Sequence, residues 1–308
     1  MQYVPVEPIE IVAPERRMER IHALPVAPTA VRQLLRVYHD PREAAHGCQR
    51  LLDANPQLQM QLASCVRLLG GAGCEDGPSI KPTDIQGLDR SVAPQIMLAL
   101  AAARPFSYVC DGPLGAHRFW RHALCNAVLC FRLAPEVDAS PPLHTGKAFL
   151  AGLLHNLGFM VIGYLFPPEF KLLNRLFACH PEIPATILER CVLGLGEAQD
   201  MLDMGHAEIG AWLLSEWDMP PEVVTVAREH HNAGYAGASA YYCQLVRAVN
   251  TLLDSCGIGD ACPGERDTEA LVRIGIDESH ALDALEALFD SPNMLDSAVR
   301  ALISHPKG

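Results

Sequence analysis

The sequence lacks the patterns that mark several common classes of protein. Its eleven cysteines occur singly, without a Cys-x-x-Cys pair, which argues against a disulfide framework or a zinc knuckle. Arginine- or lysine-rich runs with interleaved aromatic residues are also missing, so nucleic-acid binding is not expected. The first 19 residues contain Pro, Glu and Arg but not the apolar core of a signal peptide. We therefore expect a protein of a reducing, cytoplasmic compartment.

Basic residues are scarce in the second half of the chain. The formal net charge is −12, and residues 151–308 hold 9 basic and 22 acidic residues, against 15 and 14 in residues 1–150. An acidic surface repels phosphate backbones and keeps a protein in solution. It could also meet a basic partner protein, in which case association would be sensitive to salt.

Long apolar runs are also rare. The one that approaches membrane-spanning length is Ala148 to Phe166, which carries no charged residue. His155 and Asn156 lie near its middle, and polar side chains there favour a buried core helix over a membrane span. We therefore expect no membrane partner.

The residues that are abundant indicate packed helices. Hydrophobic residues make up 49% of the chain and aromatic residues only 6%, with Leu and Ala predominant, which favours helices over sheets. Repeated helix starts at proline and apolar residues at helical spacing predict an all-α, two-lobed protein. We divide it into a tail (1–20), an N-terminal helical lobe (21–105), a second helical lobe (106–255) and closing helices (265–303).

Two helices are predicted in the second lobe from apolar and proline signals. The apolar run predicts one buried helix over 148–164, and Pro220-Pro221 predicts the start of a helix that ends in His230-His231. Because adjacent residues on a helix point about 100° apart, we expect only one of these two histidines to point into a pocket.

Five of the thirteen histidines lie on or beside predicted helices of the second lobe, namely His122, His155, His206, His230 and His231. Imidazole is a good ligand for zinc, iron, nickel or manganese, provided that the rings converge in the fold. His155 is followed by Asn156, and Asn250 lies on the predicted core side of a later helix. An amide offers a neutral oxygen where a carboxylate would bring charge to a metal.

The order of these residues resembles that of the HD-type metal-dependent phosphohydrolases, which read His, His-Asp, His, His-His, Asp. Here Asn156 and Asn250 occupy the two carboxylate positions. The flanking residues over 21–255 resemble the HDOD family, a non-catalytic branch of the HD superfamily in bacterial signalling. The resemblance is carried by Leu24-Pro25, Asn55-Pro56-Gln57-Leu58, Phe119-Trp120-Arg121-His122, Gly152-Leu153-Leu154-His155-Asn156-Leu157-Gly158, Gly205-His206-Ala207-Glu208-Ile209-Gly210, Trp217-Asp218-Met219-Pro220 and His230-His231.

The chain also departs from the patterns of both groups. Val66-Arg67-Leu68 stands where HDOD sequences commonly have Ala-Asn-Ser, and Asn156 replaces an Asp that is often retained even in this family. No Gly-Tyr-Pro signature of cyclic di-GMP phosphodiesterases follows His155. The resemblance to those enzymes therefore stops at the fold.

The resemblance implies an HD-like second lobe and a signalling protein without catalysis or catalytic residues. It would bind signalling proteins or a nucleotide-like small ligand through a degenerate pocket formed by His122, His155, Asn156, His206, His230, His231 and Asn250. No cofactor is expected; any single divalent metal (Zn, Fe, Ni or Mn) would be held by His122, His155, His206 and His230. Two alternatives stay open, a metal-dependent hydrolase of nucleotides or cyclic dinucleotides and an adaptor that works through its surface.

Overall fold

The architecture is that of a helical protein, as the composition predicts. A computed structural model describes residues 25–39, 44–70, 92–106, 112–193, 204–259, 269–290 and 292–304. Within these ranges the regular structure consists of helices, without a strand. The all-α prediction is confirmed; the predicted tail at 1–20 lies outside the described residues.

The N-terminal helices are α1 (Thr29–His39), α2 (Ala44–Ala54), α3 (Pro56–Leu68) and α4 (Ala93–Ala103). Proline occupies the first turn of α3 and α4, where the missing N–H would have no partner inside the helix. Pro94 therefore lies at the start of α4. Every residue of α4 is buried, so this helix forms the centre of the N-terminal lobe.

The second lobe is built around α5 (Ala116–Leu133) and α6 (Thr145–Leu154), which pack closely on each other. It continues with α7 (Leu157–Leu165), α8 (Pro167–Cys179), α9 (Ala185–Leu193), α10 (His206–Glu216), α11 (Pro221–Glu229) and α12 (Ala240–Asp254). Because α6 also packs against α4, the buried side chains of the two lobes form one continuous core.

The C-terminal helices are α13 (Glu269–Val272), α14 (Glu278–Phe289) and α15 (Pro292–Ile303). Helix α15 packs against both α3 and α5, and the buried Gln61 side-chain amide donates a hydrogen bond to the carbonyl of Ala301 at 2.9 Å. These helices therefore brace both lobes. The proposed division of the chain into four parts stays a prediction.

The prediction of one helix over 148–164 is wrong, because the chain bends at His155-Asn156 between α6 and α7. At the bend Asn156 has φ −98° and ψ 11°, and its carbonyl accepts from the N–H of Phe159, three residues on. This turn redirects α7 towards α10, against which it packs. Local apolar periodicity does not record such a bend.

Within the described residues, the stretch Thr145–Leu165 is long and apolar enough to cross a membrane by length and composition alone. However, 89% of its most apolar window is buried inside the protein. Buried core helices are commonly as long and as apolar as a membrane span, so this stretch is weak evidence for one.

Candidate functional site

The seven side chains singled out in the sequence come from five parts of the second lobe and converge between the helices. The ring centroids of His122 and His155 are 5.3 Å apart, and those of His155 and His230 are 5.0 Å apart. His206 and His231 continue the group, with centroids separated by 5.0 Å. His231 alone of the seven is exposed. The structure therefore places these residues together, while their ligand-binding role stays a prediction.

Two glycines allow the helices to approach closely enough for this convergence. A Cβ atom on Gly158 would lie 1.8 Å from the carbonyl oxygen of His206, and one on Gly210 would lie 2.9 Å from the amide nitrogen of Gly158. Helices α7 and α10 thus cross with backbone against backbone, which only residues without a side chain permit. This contact fixes the start of α10, where His206 lies.

One corner of the site is a buried network of neutral hydrogen bonds between α5 and α12. The side-chain oxygen of Asn250 accepts from the Asn126 amide at 2.7 Å and lies 3.0 Å from Nε2 of His122. Asn126 in turn receives a hydrogen bond from the thiol of Cys130 at 3.1 Å. Since an amide oxygen can only accept, His122 donates through Nε2. This oxygen is therefore engaged by two donors.

Three of the histidines are oriented by hydrogen bonds at Nδ1. His155 Nδ1 lies 2.7 Å from the carbonyl oxygen of Gly152, and His230 Nδ1 lies 2.9 Å from that of Ala227. His206 Nδ1 lies 2.8 Å from a carboxylate oxygen of Glu189. Because each of these oxygens is an acceptor, each Nδ1 carries the proton, and in the neutral ring Nε2 presents a lone pair.

His206, His230 and His231 form the group among the described residues that could hold a metal ion. Their ligand atoms all lie within 4.8 Å of one another. Nε2 of His206 is 3.1 Å from Nε2 of His231 and 3.4 Å from Nε2 of His230. These separations suit a tetrahedral ion with Zn–N bonds of about 2.0–2.1 Å. The donor set therefore fits one zinc-like ion, which would polarise a bound water or ligand.

This cluster differs from the metal ligands predicted from the sequence. His122 and His155 are not part of it, and His231 is. The expectation that only one of His230 and His231 points into the pocket is wrong, because both reach Nε2 of His206. The physical reason is that α11 ends at Glu229: His230 is its C-cap and keeps αR angles, whereas His231 lies in the turn beyond the cap, where the 100° spacing of helical neighbours no longer applies.

Glu189 is the member of the site that sequence reasoning missed. One of its carboxylate oxygens receives both the backbone N–H and the Nδ1–H of His206, and the residue is only 3% exposed. Burial raises the pKa of Glu189, but the charge and hydrogen bonds of His206, with a smaller contribution from His231, hold the pKa below its usual value. Glu189 lies on the same face of α9 as the buried Ala185, Leu188 and Val192. A charged residue on an apolar face was the available signal.

Two tryptophans of the second lobe, Trp120 and Trp217, belong to the core. Trp120 is fully buried, and Trp217 is 3% exposed. The Trp217 ring lies 6.1 Å from that of Phe106, and its N–H donates to the carbonyl of Pro25 at 2.8 Å. Trp217 therefore joins the second lobe to the residues that precede α1.

A His-Asn bend, four further histidines and a second Asn converge in this helical lobe, which is the arrangement expected of the HD-like class. The sequence matches the family model of the HDOD domain over residues 87–233. This confirms the resemblance over a shorter range than 21–255: residues 87–233 of the chain match an HDOD domain.

The chain is also similar to whole proteins. An uncharacterised protein of Treponema pallidum (strain Nichols) is 24% identical over 222 residues, which are 71% of this chain and 39% of the relative. The chain thus spans well under half the length of that protein.

Two crystal structures share the fold. One, from Marinobacter aquaeolei VT8, is named as a candidate signal transduction protein and has a TM-score of 0.73 at 23% identity, covering 93% of this chain and 61% of its own. The other, from Shewanella amazonensis SB2B, is named as a candidate phosphohydrolase and has a TM-score of 0.65 at 18% identity, covering 92% and 97%.

Proposed function

We propose that this protein is a non-catalytic, cytoplasmic regulator that binds a signalling protein or a nucleotide-like small ligand through its degenerate HD pocket. The HDOD assignment supports a signalling role, as does the name of the Marinobacter protein. Support for a lack of catalysis comes from two side chains of the pocket, Asn250 and Asn156.

The observation that carries the proposal is the hydrogen bonding of the Asn250 side chain. Its oxygen accepts hydrogen bonds from Asn126 and His122 inside the core. A metal ligand at this position would have to turn a lone pair towards a cation, and His122 would have to give up its Nε2 proton. This network of neutral groups instead links α5 to α12 by hydrogen bonds.

The second amide acts in the same direction. Asn156 is 2% exposed and lies at the bend where HD enzymes place an Asp. A neutral amide contributes no charge for a pair of divalent cations and cannot activate a water as a carboxylate can. Hydrolysis of a phosphodiester through two metals therefore lacks both of its anionic ligands.

The experiment is a turnover assay on the purified protein with nucleotides and cyclic dinucleotides, in the presence of Zn²⁺, Mn²⁺ or Fe²⁺. We expect no release of product above a blank without protein. Turnover that disappears in His155→Ala would contradict the proposal, whereas turnover unaffected by that substitution would come from a contaminant.

The second candidate function is a mononuclear metal-dependent phosphohydrolase. Two observations favour it, the cluster of His206, His230 and His231 and the orientation of His206 by a buried carboxylate. Carboxylates behind metal-bound histidines fix the ring and raise its basicity. The name of the Shewanella protein points the same way.

Metal content separates the two candidates. Elemental analysis of the protein purified without chelators should find less than one divalent ion per chain if the amides have disabled the site. The double variant Asn156→Asp with Asn250→Asp should raise metal content, with Asn232→Asp on an exposed turn as the matched control. Unchanged metal content in the double variant would argue against a degenerate metal site.

A further inference from the structure

A cavity of about 500 Å³ opens beside the histidine group. Its walls are the first turns of α5, the bend between α6 and α7, and the turn at 256–259 that follows α12. His122 and Asn156 lie at its inner end, while Arg118 and His117 are exposed at its mouth. The cavity is large enough for a small metabolite.

The described residues that line this cavity carry a charge opposite to that of the protein as a whole. Among the described residues that line it are two arginines and two histidines, and none of these lining residues is acidic. The chain as a whole has a net charge of −12. An adjoining cavity of about 460 Å³ shares Arg118 and contains one carboxylate, that of Asp254, which is 8% exposed. A concentration of positive charge in a cleft attracts anions.

The two arginines are available for a ligand. Arg118 makes no ion pair with any residue in the described ranges. Arg121 lies 3.8 Å from Asp296, in a pair whose side chains are 35% and 40% exposed. An ion pair of that length and exposure contributes little, so a bound anion can compete for the Arg121 guanidinium.

We propose that this cavity binds the phosphate group of a small molecule, with Arg118 and Arg121 as the phosphate ligands. Guanidinium groups match phosphate oxygens in geometry and bind them through charge-assisted hydrogen bonds. The buried Phe119 supplies apolar surface for the body of the molecule, and His122 and Asn156 supply polar contacts at the inner end. This inference rests on the proposed binding function and names its ligand class.

The test is isothermal titration calorimetry of the full chain with three probes: AMP, inorganic phosphate and adenosine. We expect AMP to bind and adenosine, which has no phosphate, to give no measurable heat. Tighter binding of AMP than of phosphate identifies a phosphate ester as the ligand, and equal binding identifies the free anion. Both results support the phosphate site.

Two single variants locate the binding. We expect the affinity for AMP to fall about ten-fold or more in Arg118→Ala and in Arg121→Ala, because each variant removes a charge-assisted contact. Arg300→Ala, which removes an exposed arginine of α15, should leave affinity unchanged. Since Arg118 is exposed, its variant should fold normally, as a circular dichroism spectrum would verify.

The inference is overturned if AMP and phosphate do not bind, if adenosine binds as tightly as AMP, or if Arg118→Ala keeps the affinity of the unmodified protein. A phosphate-release assay on the same samples distinguishes failure of the phosphate site from failure of the proposed non-catalytic function. AMP that is bound and hydrolysed would refute the non-catalytic reading and leave the phosphate site in place. Absence of both binding and hydrolysis would refute the phosphate site alone.

Discussion

The contact between α7 and α10 provides the most demanding test of how this site is built. In Gly158→Ala the new Cβ would lie 1.8 Å from the carbonyl oxygen of His206 and 2.6 Å from its carbonyl carbon. Real Cβ atoms are essentially never closer than 3.0 Å to another heavy atom, so the two helices must separate by roughly 1.2 Å. The obstacle is backbone, and no side-chain rotation can relieve it.

The free energy of unfolding should fall by about 3 kcal/mol or more, the upper end of what overpacking of a core costs. With an m value of about 3 kcal/mol/M, the midpoint of urea unfolding would fall by about 1 M. Gly210→Ala should cost less, because its Cβ approaches the amide nitrogen of Gly158 only to 2.9 Å.

The assay is urea unfolding followed by circular dichroism at 222 nm. Gly234→Ala is the matched control, since its Cβ would meet no atom closer than 3.7 Å and its backbone is not among those with positive φ. A midpoint for Gly158→Ala equal to that of Gly234→Ala would refute the backbone contact and the account of how His206 is positioned.

Three further predictions concern single groups. Because the folded-state pKa of Glu189 lies below its usual value, the ionised form stabilises the fold at pH values above the unfolded-state pKa. This contribution is lost as pH falls through the folded-state pKa. Glu189→Gln should therefore lower the thermal midpoint at pH 7 and flatten its decline between about pH 5 and pH 3; a decline as steep as in the unmodified protein would contradict this. Asn250→Ala should lower the free energy of unfolding by about 1–3 kcal/mol, because it leaves two buried donors without their acceptor. Asn250→Asp keeps the acceptor oxygen and should lower the free energy of unfolding by less. Equal losses for the two variants in a urea titration would refute the hydrogen-bond network. Burial raises the pKa of the Cys125 thiol to about 12, so iodoacetamide at pH 8 should label the exposed Cys256 and spare Cys125 until the protein unfolds, as peptide mass spectrometry would detect.

The helical class could be predicted from local patterns because each helix carries its own signals. Pro56 starts α3, and Pro221 starts α11, at the positions where a proline costs nothing. The bend at His155-Asn156 could not be predicted from local patterns, because the residues on both sides of it are continuously apolar. After the bend, α7 packs against α10, a helix that begins only at His206.

The sequence by itself determined the chemistry of this protein. It placed two amides and five histidines in the order of an HD site, and their identities decide which groups are neutral, which can donate and which can bind a metal. These properties belong to side chains and need no fold to define them.

Only the tertiary structure decided how those side chains combine. It joined Asn250 to His122 and Asn126, set His231 beside His206, and brought in Glu189, which no pattern had selected. It also placed Arg118 and Arg121 in the walls of the cavity beside the histidine group. The physical reason is that hydrogen bonds and ion clusters depend on distances between separate helices, and those distances are set by packing, here by glycines that let backbones touch.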